Sequence, residues 1–292
     1  MKIFLEPTTD SRGVMRVRDA LVRYKPKNVE IVSSPSECDL AVVHVYGRHS
    51  STEKQIASLK KAGKRYAMIQ YALRSTMRPS TKDWIDMWKG AEVVWSYYNL
   101  KELAIEDNVS GNFLFYYAPL GVDPKVFKET KQERKFIVMA SSQHALAEGA
   151  RECAFAAKAV RKPMFFLGHE LRRGSDIICK TGISDEELAN YYSKTTWVSG
   201  LRRVEGFELP VIEGLLCGAR PIVFDRPHYR HWFDKLAVHI PEEPREKVIE
   251  NLTGMFQMSD IVPPTVTEEE KAIVRERFNW QTIMKGFYGQ LT

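Results

Sequence analysis

Short β-type runs separated by helical patterns recur along the chain, and this alternation constrains the fold more than any other feature. In the first half KIFLEP, VEIVSS, DLAVVHVYG, RYAMIQY, AEVVWSYY and NFLFYYAPLG read as strands. Between them Val14, Val17, Ala20, Leu21 and Tyr24 recur at helical spacing, and STEKQIASLKKAGK runs as an amphipathic helix from a Ser start to a Gly. STKDWIDMWKG and NLKELAIED complete the helices of this half. The polar, lysine-rich stretch GVDPKVFKETKQERK then interrupts the pattern and reads as a linker. Beyond it KFIVMAS, MFFLG, DIICKTG, TTWVSG and ARPIVF are strands. ALAEGARECAFAAKAV is a helix, as is ISDEELANYYSK, which has a Ser184 cap and Glu187 three residues on. LPVIEGLLCG is a helix closed by Gly218, and residues 267–291 form one or two more. Such alternation predicts parallel sheets covered by helices on both faces. Two doubly wound α/β domains in tandem result, the first spanning residues 1–128. Ligands of such sheets bind beyond the C-terminal strand ends, which places the expected site in a cleft between the domains.

A length of 292 residues accommodates two domains. With 44% hydrophobic and 27% charged residues, the chain is neither disordered, collagenous nor membrane-spanning in composition. No apolar stretch reaches the ~18 residues of a membrane span, and the N-terminus lacks the pattern of a signal peptide. Four scattered cysteines, Cys38, Cys153, Cys179 and Cys217, form neither a disulfide framework nor a zinc motif, so a cytoplasmic, reducing setting is expected. The net charge of +6 is uneven. Residues 1–128 hold 20 Lys and Arg against 14 Asp and Glu, and the remainder holds 23 of each. This points the first half at something anionic, or simply gives it a soluble basic surface.

Residues 200–225, GLRRVEGFELPVIEGLLCGARPIVFD, carry the most chemistry. A strand ends at Ser199, a loop follows, and a helix opens near Pro210. Gly206 lets backbone approach a ligand, and the unpaired N–H groups of the helix start can receive a phosphate. Glu205 sits in the loop and Glu213 one turn into the helix. Glu213 can accept hydrogen bonds from a pair of sugar hydroxyls. Anion binding beside polyol binding suits a nucleotide sugar.

Here the sequence resembles the retaining glycosyltransferases of the GT-B fold (group 1, or family 4-like), whose E-x7-E donor motif reads E-G-F-G-L-x-x-x-E-A-x-A-x-G-x-P-V-V. Gly206, Phe207, Leu209, Gly218 and Pro221 stand at the family spacing around Glu205 and Glu213. YAPLGVDPKVF resembles the interdomain P-N-G-V-D segment, with Leu120 in place of Asn. KTGISDEELANYYSKTTWVS resembles the segment before the donor loop, and FNWQTIMKGFYGQL the closing helix. The resemblance implies an α/β GT-B fold of two tandem Rossmann-like domains with a cleft between them. An acceptor domain at 1–128 and a donor domain at 129–275 follow, with a helix at 276–292 that crosses back to the first domain. It implies transfer of a hexosyl-type sugar from a nucleotide-diphosphate donor to an acceptor hydroxyl with retention, without metal or other cofactor. Glu213 would bind the donor ribose, Glu205 would lie near the transferred sugar as the catalytic carboxylate, and backbone after Gly206, through Phe207, Glu208 and Leu209, would approach the diphosphate. Gly182 and Ile183 would border the base, and Gly168 would line the same cleft.

One departure matters. The family holds the diphosphate with an Arg and a Lys in G-R-x-x-x-x-K-G, but here Gln143 and Glu148 stand at those places. Their loss removes transition-state stabilisation unless other cations replace it. Arg202 and Arg203 are nearest in sequence, followed by Arg172 and Arg173. These are replacements or solvated loop charges; the remaining alternative is a module that binds nucleotide sugar or nucleic acid without catalysis. On the acceptor side Arg12, Gly13, Arg16 and Arg48 are candidates within a basic cluster that includes Arg18, Arg23 and Lys25. His44, near a strand end, is a cleft histidine of the kind family members carry, or a core histidine. Arg74, Arg78, Lys82 and Lys89 interleave with Trp84 and Trp88, a pattern that fits flipped-base or anionic-membrane contact, or a helix face packed on the sheet. The acceptor is therefore a glycan or a lipid-linked glycan, phosphorylated ones included, or a hydroxymethylated base in DNA. Peripheral membrane contact is compatible with each basic patch. Compact chains of this type occur in viruses, which would make the compartment a host cytoplasm.

Overall fold

The computed structural model describes residues 1–6, 12–45, 50–72, 84–141, 149–169, 171, 176–203 and 207–291. The chain forms two compact units. One holds residues up to Gly121 and returns for the chain from Trp280 onward; the other holds Val122–Arg203 and Phe207–Asn279.

The first unit contains β1 (Lys2–Leu5), α1 (Arg12–Arg23), β2 (Glu30–Val32), β3 (Leu40–Val45), α2 (Ser50–Lys61) and β4 (Arg65–Gln70). It continues with α3 (Ile85–Trp88), β5 (Ala91–Ser96), α4 (Leu100–Glu106) and β6 (Phe115–Tyr117). Its six strands are all parallel, in the order β2-β1-β3-β4-β5-β6. β3 is buried along its whole length, as a central strand covered on both faces must be. α1 turns Val14, Val17, Ala20 and Leu21 inward. The last helix, α11 (Trp280–Gly289), belongs to this unit and packs beside α1. The Tyr288 hydroxyl donates to the Leu21 carbonyl (2.7 Å) and the Tyr116 hydroxyl to that of Ile283 (2.8 Å). Phe287 stacks near Trp95, with ring centroids 5.5 Å apart.

Trp84 and Trp88 are fully buried, and the Trp88 indole donates to the Gln70 side chain (2.8 Å). They are core residues, which favours the reading of a helix face packed on the sheet over flipped-base or membrane contact. The Trp88 indole is stable there because its N–H is satisfied on burial. Arg74, Arg78 and Lys82 lie outside the described residues.

The second unit contains β7 (Phe136–Ser141), α5 (Ala150–Ala159), β8 (Met164–Leu167), β9 (Ile177–Lys180), α6 (Asp185–Ser193) and β10 (Thr195–Gly200). After them come α7 (Leu209–Leu216), β11 (Arg220–Phe224), α8 (Pro227–Phe233), β12 (Val238–Ile240), α9 (Arg245–Met258) and α10 (Glu268–Arg277). Its parallel strand order, β12-β11-β10-β7-β8-β9, is the Rossmann order. The chain runs outward in one direction from β7 through β8 and β9, and in the other from β10 through β11 and β12. The C-terminal ends of β7 and β10 thus flank the topological switch point, where such sheets bind ligands.

Residues 122–135 are part of this unit, not a free linker. The Val122 N–H donates to the Phe278 carbonyl (2.9 Å), and Phe127 is buried beside Tyr192. Arg134 donates to the Gly218 carbonyl (2.8 Å) and pairs with Glu129 (3.0 Å). These bonds place the boundary after Gly121, ahead of the composition change at Lys128. The charged tail resolves into α10, opened by a Thr267–Glu270 capping box, and α11. The crossing chain therefore starts at Trp280 and not at residue 276. The four cysteines are free, and among the described residues no helix is long and apolar enough to cross a membrane.

Candidate active site

The switch point of the second unit brings together much of the motif segment. β10 ends at Gly200, where a Cβ would lie 2.7 Å from Val211 Cγ2. This close approach seats α7 directly against the strand. Val211, Ile212, Leu215 and Leu216 bury α7, and Gly218, at φ +84°, turns the chain into β11. Glu213 is only 2% exposed, and the Tyr192 hydroxyl on α6 donates to its Oε2 (3.2 Å). A Ser184–Glu187 capping box starts α6; Ile183 is buried just before it, while Gly182 is exposed. The Gly168 N–H donates to the Lys180 carbonyl (2.9 Å), holding the turn after β8. Glu205, Gly206 and Arg48 lie outside the described residues, as do Gln143, Glu148, Arg172 and Arg173.

The two arginines after β10 diverge. Arg202 Nε contacts Glu208 Oε2 at 2.8 Å, and its Nη2 donates to the carbonyl and hydroxyl of Ser141 (3.3 Å each) at the end of β7. Glu208, the N-cap residue of α7, is 1% exposed and also accepts from the Tyr229 hydroxyl (3.2 Å). Arg203 turns to Glu152 (3.2 Å) and Glu242 (3.6 Å), with its guanidinium 4.8 Å above the Phe224 ring. Glu152, 3% exposed, stands in the first turn of α5. That helix is opened by Gly149 at φ +61°, where a Cβ would meet Leu201 Cβ at 2.6 Å. Phe207 is buried among Trp232, Phe233 and Phe278. Leu209 begins α7, half-buried.

Sequence reasoning missed Tyr192, Tyr229, Glu152 and Ser141. Glu152 carried a signal, being a carboxylate on the apolar face of ARECAFAA. The tyrosines carried none, because their roles depend on tertiary packing.

In the first unit His44 lies near the C-terminal end of β3, 2% exposed. Its Nδ1 and the Tyr71 hydroxyl are 2.9 Å apart and the two rings are stacked. Nε2 has no hydrogen-bond partner among the described residues. Burial, helped by the Arg18 charge, lowers its pKa to about 4, so the imidazole is neutral at pH 7. The backbone N–H of His44 donates to the Glu6 carboxylate (3.0 Å), whose pKa burial raises. Arg12 and Gly13 open α1, with Arg16 one turn on, and no acidic residue stands in that first turn. Basic side chains there add to the positive end of the helix dipole. Among the described residues, no group of three or more His, Cys, Asp and Glu could hold a metal ion.

Solved structures share this architecture. The chain superposes on HepE of Anabaena, solved with UDP and glucose, with a TM-score of 0.76 and 11% identity, over 99% of this chain and 98% of that one. Against the pneumococcal O-GlcNAc transferase GtfA, solved with UDP and GlcNAc, the TM-score is 0.67 at 13% identity, over 86% of this chain. Against sucrose-phosphate synthase from Thermosynechococcus elongatus it is 0.65 at 15% identity, over 87% of this chain and 72% of that one. The chain spans 56% of the length of GtfA. No family model and no curated protein sequence matches. At such identities the likeness defines the fold. The chain has the GT-B fold of glycosyltransferases, as the motifs implied.

Proposed function

We propose that this protein is a glycosyltransferase that moves a hexosyl-type sugar from a nucleoside-diphosphate donor to an acceptor hydroxyl, with retention. The observation that carries the reading is the folding of the motif segment as β10, α7 and β11 at the switch point, with Glu213 fixed by Tyr192. In this reading Glu213 receives the donor ribose hydroxyls and Glu205 lies by the transferred sugar. The α7 N-terminus and Arg202 face the diphosphate; Arg203, enclosed by two carboxylates and a ring, is a structural pin. The acceptor oxygen attacks the anomeric carbon on the face from which the phosphate leaves. The carbon–phosphate-oxygen bond breaks, and the leaving phosphate takes the acceptor proton, so no separate base is required. The developing charge is met by the helix dipole and by the N–H donors of Arg202, without a resident metal.

The acceptor is a glycan or lipid-linked glycan met by the first unit, where Arg12, Gly13, Arg16 and neutral His44 stand. Burial of Trp84 and Trp88 removes the aromatic surface that suited flipped-base contact. The experiment is a panel of nucleotide sugars, read by nucleotide release and by transfer to glycan and glycolipid acceptors. One donor should turn over, unaffected by EDTA. E213A should weaken binding of its nucleotide by about tenfold to a hundredfold, the value of hydrogen bonds to a charged group. Turnover of no donor, or full affinity in E213A, refutes the assignment.

A further inference from the structure

The resembled donor motif has glycine where this chain has Glu208, and a carboxylate there is unexpected beside a phosphate position. Glu208 is the N-cap of α7, yet its side chain caps none of the first-turn N–H groups. It turns instead to Arg202 (2.8 Å) and the Tyr229 hydroxyl (3.2 Å). Arg202, its side chain 14% exposed, is at the same time tied to Ser141 at the end of β7. So one buried carboxylate fixes the arginine over the switch point and cancels its charge there. Pro210 brings no N–H and that of Val211 is spent on the Glu208 carbonyl (3.1 Å), so the helix start acts on an anion chiefly through its dipole.

Resting on the donor reading above, we propose that Glu208 is a specificity-determining residue for the diphosphate. It holds Arg202 ready for phosphate and, by its own negative charge, limits how tightly a nucleoside diphosphate is retained, so that the product nucleotide leaves. Two effects oppose each other when the carboxylate is neutralised. Arg202 becomes less ordered, which weakens binding, and a like charge beside the phosphates disappears, which strengthens it. Like-charge juxtaposition is the larger of the two. Neutralising Glu208 therefore tightens binding.

The test is calorimetric titration of wild type, E208Q, E152Q and E213A with UDP, GDP, ADP and CDP, followed by the monophosphate of the tightest ligand. E208Q should bind the diphosphate about tenfold tighter, gain less for the monophosphate, and turn over more slowly as release becomes limiting. E152Q, which frees Arg203 instead, should leave that difference unchanged. An affinity in E208Q that is unchanged or weaker overturns the proposal, as does an equal gain in E152Q. If E213A weakens binding while E208Q does not tighten it, only this inference falls. If E213A changes nothing, or none of the four nucleotides binds, the donor reading falls with it. A measurement on wild type alone covers the case in which E208Q does not fold. With Arg202 neutralised, diphosphate affinity should vary little between low and high salt, and a steep dependence overturns the proposal.

Discussion

At the C-terminal edge of the first sheet a buried histidine is neutral at pH 7; at the same edge of the second sheet two arginines are paired with carboxylates. His44 loses its proton through burial and Arg18, and leans on a tyrosine hydroxyl. Arg202 and Arg203 are instead paired with carboxylates, Glu208, Glu152 and Glu242 lying within 2.8 to 3.6 Å. Both sheets are parallel and doubly wound, so topology does not explain the difference. It lies in which residues follow the strands. A buried cation needs a carboxylate, whereas an imidazole can simply release its proton. A doubly wound sheet therefore supplies a place for chemistry, and the few residues beyond its strands decide whether charge can persist there.

The comparison breaks most visibly at Arg202. R202A should lower kcat/KM by about a hundredfold to a thousandfold, as loss of a preorganised donor to a developing anion does. H44Q should cost far less, because in the proposed mechanism the leaving phosphate accepts the proton. Equal losses in the two variants would end the division of labour between the edges. His44 sharpens the contrast through stability. Its folded pKa, about 4, lies below the ordinary 6.5, so the unfolded chain takes the proton first. The contribution is complete above pH 6.5 and declines as pH falls toward 4, by about 3 kcal/mol. Glu6, raised by burial, acts in the opposite sense at the acid end. Urea unfolding of wild type and H44Q across this range should show a flatter profile in the variant. A smaller effect concerns backbone: G149A should destabilise by about 2 kcal/mol through its left-handed φ and the contact with Leu201, seen as a lower urea midpoint.

Most of the architecture was legible because its signals are local. Six buried residues in β3 and the spacing of Val14, Val17, Ala20 and Leu21 need no tertiary information. α8, β12 and α9 went unread, although Val248, Leu252 and Phe256 recur at helical spacing in α9. Glu213 stands out in the sequence through its neighbours in a motif. Tyr192, which holds it, lies 21 residues away and nothing in the sequence pairs them. The tryptophans left two readings open, because a helix face of Lys and Trp reads alike whether the indoles face water or core. Composition put the domain boundary at the lysines, but Val122 and Phe127 had already joined the second unit.

The placement of α11 bears on the order in which the molecule can be made. Synthesis runs from the N-terminus, and domains tend to fold as they emerge. The first unit cannot follow that rule to completion. The helix that receives Tyr116 and sends Tyr288 to Leu21 is translated only after every strand of the second unit. Until it arrives, Trp95 lacks its Phe287 neighbour. On the ribosome the second unit can close first, and the chain that began folding earliest finishes last.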